Sequence, residues 1–135
     1  MILLDTSVLS LALRRGRASA ASATIRGDLE RMILEDAPLA LPGIVFQEVL
    51  SGVKDERQFE QLRRELEGLP IVLAATGDHL RAAALFNACQ RHGIAGTLAD
   101  CLIAALAIER DAQLWSLDTD FERIARHCDL QLFQT

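Results

Sequence analysis

Short apolar runs alternate along this chain with longer stretches whose apolar residues recur every three or four positions. The first pattern fits buried strands and the second amphipathic helices. Residues 1–5 read as a first strand. A helix capped by Thr6 or Ser7 follows, through Arg15 to a stop at Gly16. Residues 18–22 are small and polar and read as a loop. Ile25, Leu29, Met32 and Ile33 repeat at helical spacing and predict a second helix to about Asp36. Leu39-Ala40-Leu41, between two prolines, predicts a second strand, and residues 44–52 a helix ending near Gly52. Phe59, Leu62, Leu66 and Leu69 mark one face of a charged helix that Gly68 and Pro70 end. Ile71 to Leu73 is a third strand. Residues 78–92 make a helix closed by Gly93. Thr97 to about Arg110 makes another, apolar on nearly every face and therefore central. Leu114 to Leu117 is a fourth strand, residues 119–128 a last helix, and Leu130 to Phe133 a final edge strand.

Strands alternating with helices predict an α/β fold on a parallel sheet of four to five strands. The length, 135 residues, suits one domain spanning 1–135. Half the residues are hydrophobic, enough for a substantial core. No apolar run reaches the ~18–20 residues of a membrane span. The first residues have no basic stretch or cleavage pattern of a secretory leader, so a cytoplasmic location is expected.

Cys89, Cys101 and Cys128 are an odd number without CxxC spacing, which gives neither a disulfide framework nor a zinc site. His79, His92 and His127 lack ligand spacing too. The net charge of −5 argues against non-specific nucleic-acid binding. Yet the positive charge is thirteen arginines and one lysine, Lys54, and arginine suits bidentate phosphate contact. Arg14, Arg15 and Arg17 form the one tight cluster; they also stand where a helix C-terminus would welcome cations.

Asp5, Glu48, Asp100 and Asp118 change the picture. Asp5 closes Met1-Ile2-Leu3-Leu4, Glu48 interrupts a run from Ile44 to Leu50, and Asp118 ends Leu114 to Leu117. Asp100 is flanked by Leu98, Ala99, Leu102 and Ile103, which predicts an acid denied water. Acids in such places need a hydrogen bond, a counter-charge or a metal. Asp5 and Asp118 could serve simply as helix N-caps, capping at a helix start is the weaker alternative for Asp100, and Glu48 could reach solvent from a helix edge. Ligands of open parallel sheets, however, collect beyond the carboxyl ends of the strands. If the first and fourth strands are neighbours, all four acids converge there. Mg²⁺ or Mn²⁺ would relieve their repulsion, since both prefer oxygen ligands. Such an ion can activate water and neutralise a scissile phosphate, so phosphodiester hydrolysis is the chemistry expected.

Four motifs occur in order: Asp5-Thr6-Ser7-Val8-Leu9, Glu48-Val49-Leu50-Ser51-Gly52, Leu98-Ala99-Asp100-Cys101-Leu102-Ile103-Ala104-Ala105 and Ser116-Leu117-Asp118-Thr119-Asp120-Phe121. Each is weak alone; the ordered set, spanning nearly the whole chain, resembles the PIN-domain family and specifically the VapC toxins of toxin–antitoxin pairs. The resemblance implies a parallel sheet with helices on both faces and an Mg²⁺- or Mn²⁺-dependent endoribonuclease. It implies an acidic quartet of Asp5, Glu48, Asp100 and Asp118, with Asp120 as a further acid. Asp5 and Asp100 match direct metal ligands, followed by Asp118. Thr6 and Ser116 match small hydroxyl positions lining the site. Glu48 matches an acid that orients or deprotonates water, or one that helps hold metal. The resemblance further implies a homodimer, a VapB-like antitoxin partner, and transfer or ribosomal RNA as substrate, with Arg14, Arg15 and Arg17 available to its backbone. A non-catalytic interaction module on the same fold is the alternative, and it would be marked by a broken quartet. A haloacid-dehalogenase-type site wants a second aspartate where Ser7 stands, and a receiver domain wants a late lysine that this chain lacks.

Overall fold

The computed structural model describes residues 1–13 and 19–135. Five strands form one parallel sheet: β1 (Ile2–Leu4), β2 (Leu39–Pro42), β3 (Ile71–Val72), β4 (Gln113–Trp115) and β5 (Gln131–Leu132). Their order is β3-β2-β1-β4-β5. The connecting helices are α1 (Thr6–Ala12), α2 (Ala20–Leu34), α3 (Gly43–Leu50), α4 (Glu56–Leu66), α5 (Thr76–Arg91), α6 (Leu98–Glu109) and α7 (Asp120–Ala125).

The topology follows from two rules. Parallel neighbours need a crossover, and crossovers of this kind are right-handed. The chain steps one way from β1 to β2 to β3, then jumps back beside β1 and continues from β4 to β5. Opposite step directions require opposite faces. Helices α1 to α4 therefore cover one face, where α1 packs on α2 and α3, and α5 to α7 cover the other, where α5 packs along α6. Strands covered on both faces must be apolar throughout, which is why β1 and β2 are buried at every position.

The expectation that the first and fourth strands lie together holds: Ile2, Leu3 and Leu4 pair with Gln113, Leu114 and Trp115. Helix α6 is as central as its composition predicts, with Cys101 and every residue from Ile103 to Ala107 buried. Its small residues let α5 approach closely. Phe121 and Ile124 seal the other end of the core and are about 1% exposed; truncating a ring buried like Phe121 costs about 3–5 kcal/mol.

One expectation fails within the described residues. Residues 20–22 are not loop but the first turn of α2. Ser19 caps that helix by accepting from the Ser22 N–H. Ser22 is fully buried and donates to the Leu11 carbonyl at 2.9 Å. Small polar residues look like loop in sequence, yet here they let α2 lie tightly against α1. The predicted extension of α1 to Arg15, and the Arg14, Arg15 and Arg17 cluster, fall outside the described residues. Among the described residues, no helix is long and apolar enough to cross a membrane.

Candidate active site

The carboxyl ends of β1 and β4 lie side by side, and each strand ends close to an acid. Asp5 follows Leu4 directly and keeps a ladder bond, its N–H donating to the Trp115 carbonyl at 3.0 Å. Its side chain is the most enclosed of the four, 5% exposed. Two hydroxyls hold it: Ser7 and Ser116 each donate to Asp5 Oδ2 at 2.7 Å. Each of those hydroxyls in turn accepts a backbone N–H from the segment after β4. Leu117 N–H donates to Ser7 Oγ at 2.9 Å, and Asp118 N–H to Ser116 Oγ at 3.0 Å. Two parallel relays thus run from the β4–α7 segment to one carboxylate oxygen. Oxygen Oδ1 of Asp5 takes no hydrogen bond among the described residues. The capping reading of Asp5 is true only weakly, since the Ser7 N–H lies 3.4 Å from Oδ2.

Asp118 is exposed, and the Asp120 N–H donates to its Oδ1 at 2.9 Å. That two-residue reach is a local turn rather than a helix cap; the cap position of α7 belongs to Thr119 and makes no side-chain bond. Asp120 differs from its neighbours in having a cation of its own, Arg123, at 3.1 Å.

Asp100 sits at the third position of α6. Thr97 and Asp100 form a reciprocal cap: Asp100 N–H donates to Thr97 Oγ1 at 3.0 Å, and Thr97 N–H to Asp100 Oδ2 at 3.2 Å. Asp100 is half-buried rather than denied water, because Leu98 beside it turns outward and is 71% exposed. Glu48, on α3, is likewise on the solvent edge, and Thr6 donates to its Oε1 at 3.3 Å. Helices α3 and α6 come from opposite faces of the sheet and meet across its carboxyl end. The apolar flanks of Glu48 and Asp100 therefore report how these helices pack, not how their acids are solvated.

Electrostatics ties the group together. Lost hydration pushes the Glu48 carboxyl above its usual range, and the charges of Asp5 and Asp100 push it further, against the lowering bond from Thr6. Lost hydration likewise raises Asp100, with Asp118 and Asp5 adding to the effect against the two bonds from Thr97. Each acid is thus felt by at least one of the others through a short stretch of poorly solvated space.

The donor set is all oxygen. Each of the four acids gives one oxygen to a protein donor and leaves the other unbonded among the described residues. Among those residues, no three acidic, histidine or cysteine groups already stand in ligating range of one point. Mg²⁺ does not require that, because it uses one or two carboxylates and retains several waters. The residues therefore fit such an ion.

Ser7 is the site residue that sequence reasoning missed, reading it only as a cap. The signal was present: a hydroxyl two residues after a strand-end acid can turn back to it. Thr6 and Ser116 stand where expected, Thr6 on Glu48 and Ser116 on Asp5.

A parallel sheet in this order, with acids gathered beyond the carboxyl ends of the neighbouring strands β1 and β4, is the architecture of a PIN domain, and the chain belongs to the PIN-domain family, whose model matches residues 2–127. Within that family it falls with the VapC ribonucleases. Ribonuclease VapC11 of Mycobacterium tuberculosis is 37% identical over 134 residues, covering 97% of this chain and 96% of its own. Among solved structures, FitAcB from Neisseria gonorrhoeae superposes with a TM-score of 0.76 at 25% identity, covering 99% of this chain and 97% of its own. A chain of a toxin–antitoxin complex from Klebsiella pneumoniae gives 0.69 at 26% identity, with 90% of each chain covered.

Proposed function

We propose that this protein is an endoribonuclease that hydrolyses RNA phosphodiester bonds with Mg²⁺ or Mn²⁺, and that it is the toxin of a VapBC-type pair. The observation that carries the reading is the meeting of Asp5, Glu48, Asp100 and Asp118 at one sheet end, each with one oxygen left over. The similarity to a ribonuclease across almost the whole of both chains supports the RNA assignment. The likeness to a chain of a toxin–antitoxin complex supports a VapB-like antitoxin as partner.

In this reading Asp5 and Asp100 would hold the ion, Asp118 would support it through its retained waters, and Asp120 would contribute at the periphery while paired with Arg123. A bound divalent ion would activate water and offset charge on the scissile phosphate. The chain's own part is positioning. Ser7 and Ser116 fix the Asp5 carboxylate in one orientation, so that Oδ1 faces its task without reorganising. Thr97 does the same for Asp100. Glu48 takes the proton of the attacking water at its unbonded Oε2; a carboxyl raised toward the working pH is better suited to accept it. An antitoxin would silence the site by bringing a basic side chain among the acids, in the ion's place.

The test uses protein freed of any antitoxin. Cleavage of structured RNA should require added Mn²⁺ or Mg²⁺, stop in excess EDTA, and fall at least about a hundredfold in Asp5→Asn and Asp100→Asn. A calorimetric Mn²⁺ titration should show binding that Asp100→Asn weakens. Equal cleavage in EDTA would sink the metal mechanism. No Mn²⁺ binding and no cleavage would favour a non-catalytic module.

A further inference from the structure

An acidic chain that gathers four carboxylates at one spot must hold RNA somewhere else. The described arginines show where spare positive charge remains. Arg31, Arg63, Arg81, Arg110 and Arg123 each have a carboxylate partner. Arg57, Arg64, Arg91 and Arg126 have no ion-pair partner among the described residues, and of these Arg126, exposed at the end of α7, is the one that belongs to the segment following Asp118 and Asp120. Arg126 lines a pocket of about 300 Å³ with Arg123, His127 and the loop Gly93-Ile94-Ala95. On the rim, His127 stacks on His92 with ring centroids 4.7 Å apart. The two rings come from the ends of different helices and fix the loop against α7. The Ala95 N–H, in the same lining, donates to no protein acceptor among the described residues.

We propose that this pocket is a second anion site, which takes a backbone phosphate of the RNA away from the scissile bond. This rests on the ribonuclease reading above. The site's place supports it. Its loop wall runs directly into Thr97, which holds Asp100. Its helical wall begins at Asp120, which is bonded both to Asp118 and to Arg123. The two segments that position the acids therefore also build the basic pocket, and one strand can engage both. Arg126 supplies a free guanidinium, Arg123 a second one already half-neutralised, and Ala95 an amide: a cation-rich concavity of about 300 Å³, with room for a hydrated backbone phosphate. Nothing in the lining is acidic. An acidic peptide would need an extended basic surface, which this pocket does not offer.

The experiment measures anisotropy of a labelled single-stranded oligoribonucleotide on the full chain, in an Asp100→Asn background that does not cut it. Arg126→Glu should weaken binding about tenfold, and the slope of log Kd against log salt should shrink by about 0.7, the value of one single-strand phosphate contact. Arg126→Lys should recover most of the affinity. In the otherwise unaltered enzyme, Arg126→Glu should raise KM and leave kcat in place. Arg126 is exposed, and an unchanged thermal melt would establish that the variant folds. If the enzyme cleaves RNA but Arg126→Glu binds with unchanged affinity and slope, the anion site is wrong and the ribonuclease reading stands. If the unaltered chain neither binds nor cuts RNA, both fall. A loss confined to duplex DNA or to the antitoxin would overturn the RNA assignment.

Discussion

Ser116 reaches Asp5 across 111 positions of sequence, its hydroxyl 2.7 Å from the carboxylate. The contact joins the ends of two neighbouring strands, and the same hydroxyl oxygen accepts the Asp118 N–H. Ser116→Ala should therefore do two things. It removes a hydrogen bond to a charged group, worth about 1.5–3 kcal/mol, and leaves the Asp118 amide without its acceptor. It also frees the Asp5 carboxylate, so Mn²⁺ affinity should fall about tenfold to a hundredfold. Calorimetry of Ser116→Ala and Ser7→Ala checks both. If neither moves the Mn²⁺ affinity, the relays are structural only.

Asp100 carries the opposite kind of strain. Its carboxyl is raised, so ionisation is less favourable folded than unfolded. An acid raised in this way adds no penalty below its unfolded value, 3.8. The penalty grows as pH rises through that value and is complete above the folded one. Metal-free Asp100→Asn should then melt at a higher temperature than the parent at neutral pH, and the gap should close in strong acid. Added Mn²⁺ should reverse the order by stabilising the parent alone. Differential scanning fluorimetry across pH, with and without Mn²⁺, reads all of this. A parent more stable than Asp100→Asn without metal at neutral pH would count against the repulsion.

Thr97 holds α6 at its start. Thr97→Val keeps the shape and deletes the cap, which should cost about 1 kcal/mol. Activity should fall more than stability, because the freed Asp100 N–H and the shifted helix start both touch the site. The comparison is between a denaturant midpoint and kcat under saturating Mn²⁺. A proportionate fall in both would point to a purely structural cap.

Asp78 and Arg110 form a bidentate pair at 2.9 and 3.0 Å, joining the start of α5 to the end of α6. Asp78 is buried, and the Arg110 guanidinium holds its carboxyl below the usual range. A depressed acid contributes stability that is full above its unfolded value, 3.8, and lost as pH falls through the folded value. Asp78→Asn should flatten the acid limb of the stability profile. Arg110→Ala, which leaves the Asp78 carboxylate with the Ala75 N–H alone, should cost about 1–3 kcal/mol at neutral pH. An unchanged acid limb in Asp78→Asn would assign that limb to other carboxylates.

The sheet was readable because β1 and β2 are compact apolar runs, and because an acid follows β1 directly and another stands three residues beyond β4. Glu48, Asp100 and Asp118 were legible as candidates but not in their surroundings. Apolar neighbours in sequence pack the helix or strand, while the acid itself can stand on the open edge, as Glu48 does. Ser7 was underread because hydroxyl partners are made by the fold: its amide donor, Leu117, lies 110 positions away. The stacking of His92 on His127 was invisible for the same reason. Ala20 to Ser22 misled because small residues serve loops and tight helix contacts alike, and only the buried Leu11 carbonyl decides between them.

The relays onto Asp5 also govern timing. Ser7 can hold the first acid of the chain early, but Ser116 and the amide that fixes the Ser7 hydroxyl appear only after residue 115, and β1 gains its second neighbour only when β4 exists. A chain that stops before β4 has Asp5 and Glu48 with their local partners Ser7 and Thr6, but lacks Ser116 and Asp118. The acidic site is therefore completed only when the segment after β4 has been made, and that is the point from which a restraining partner would be needed.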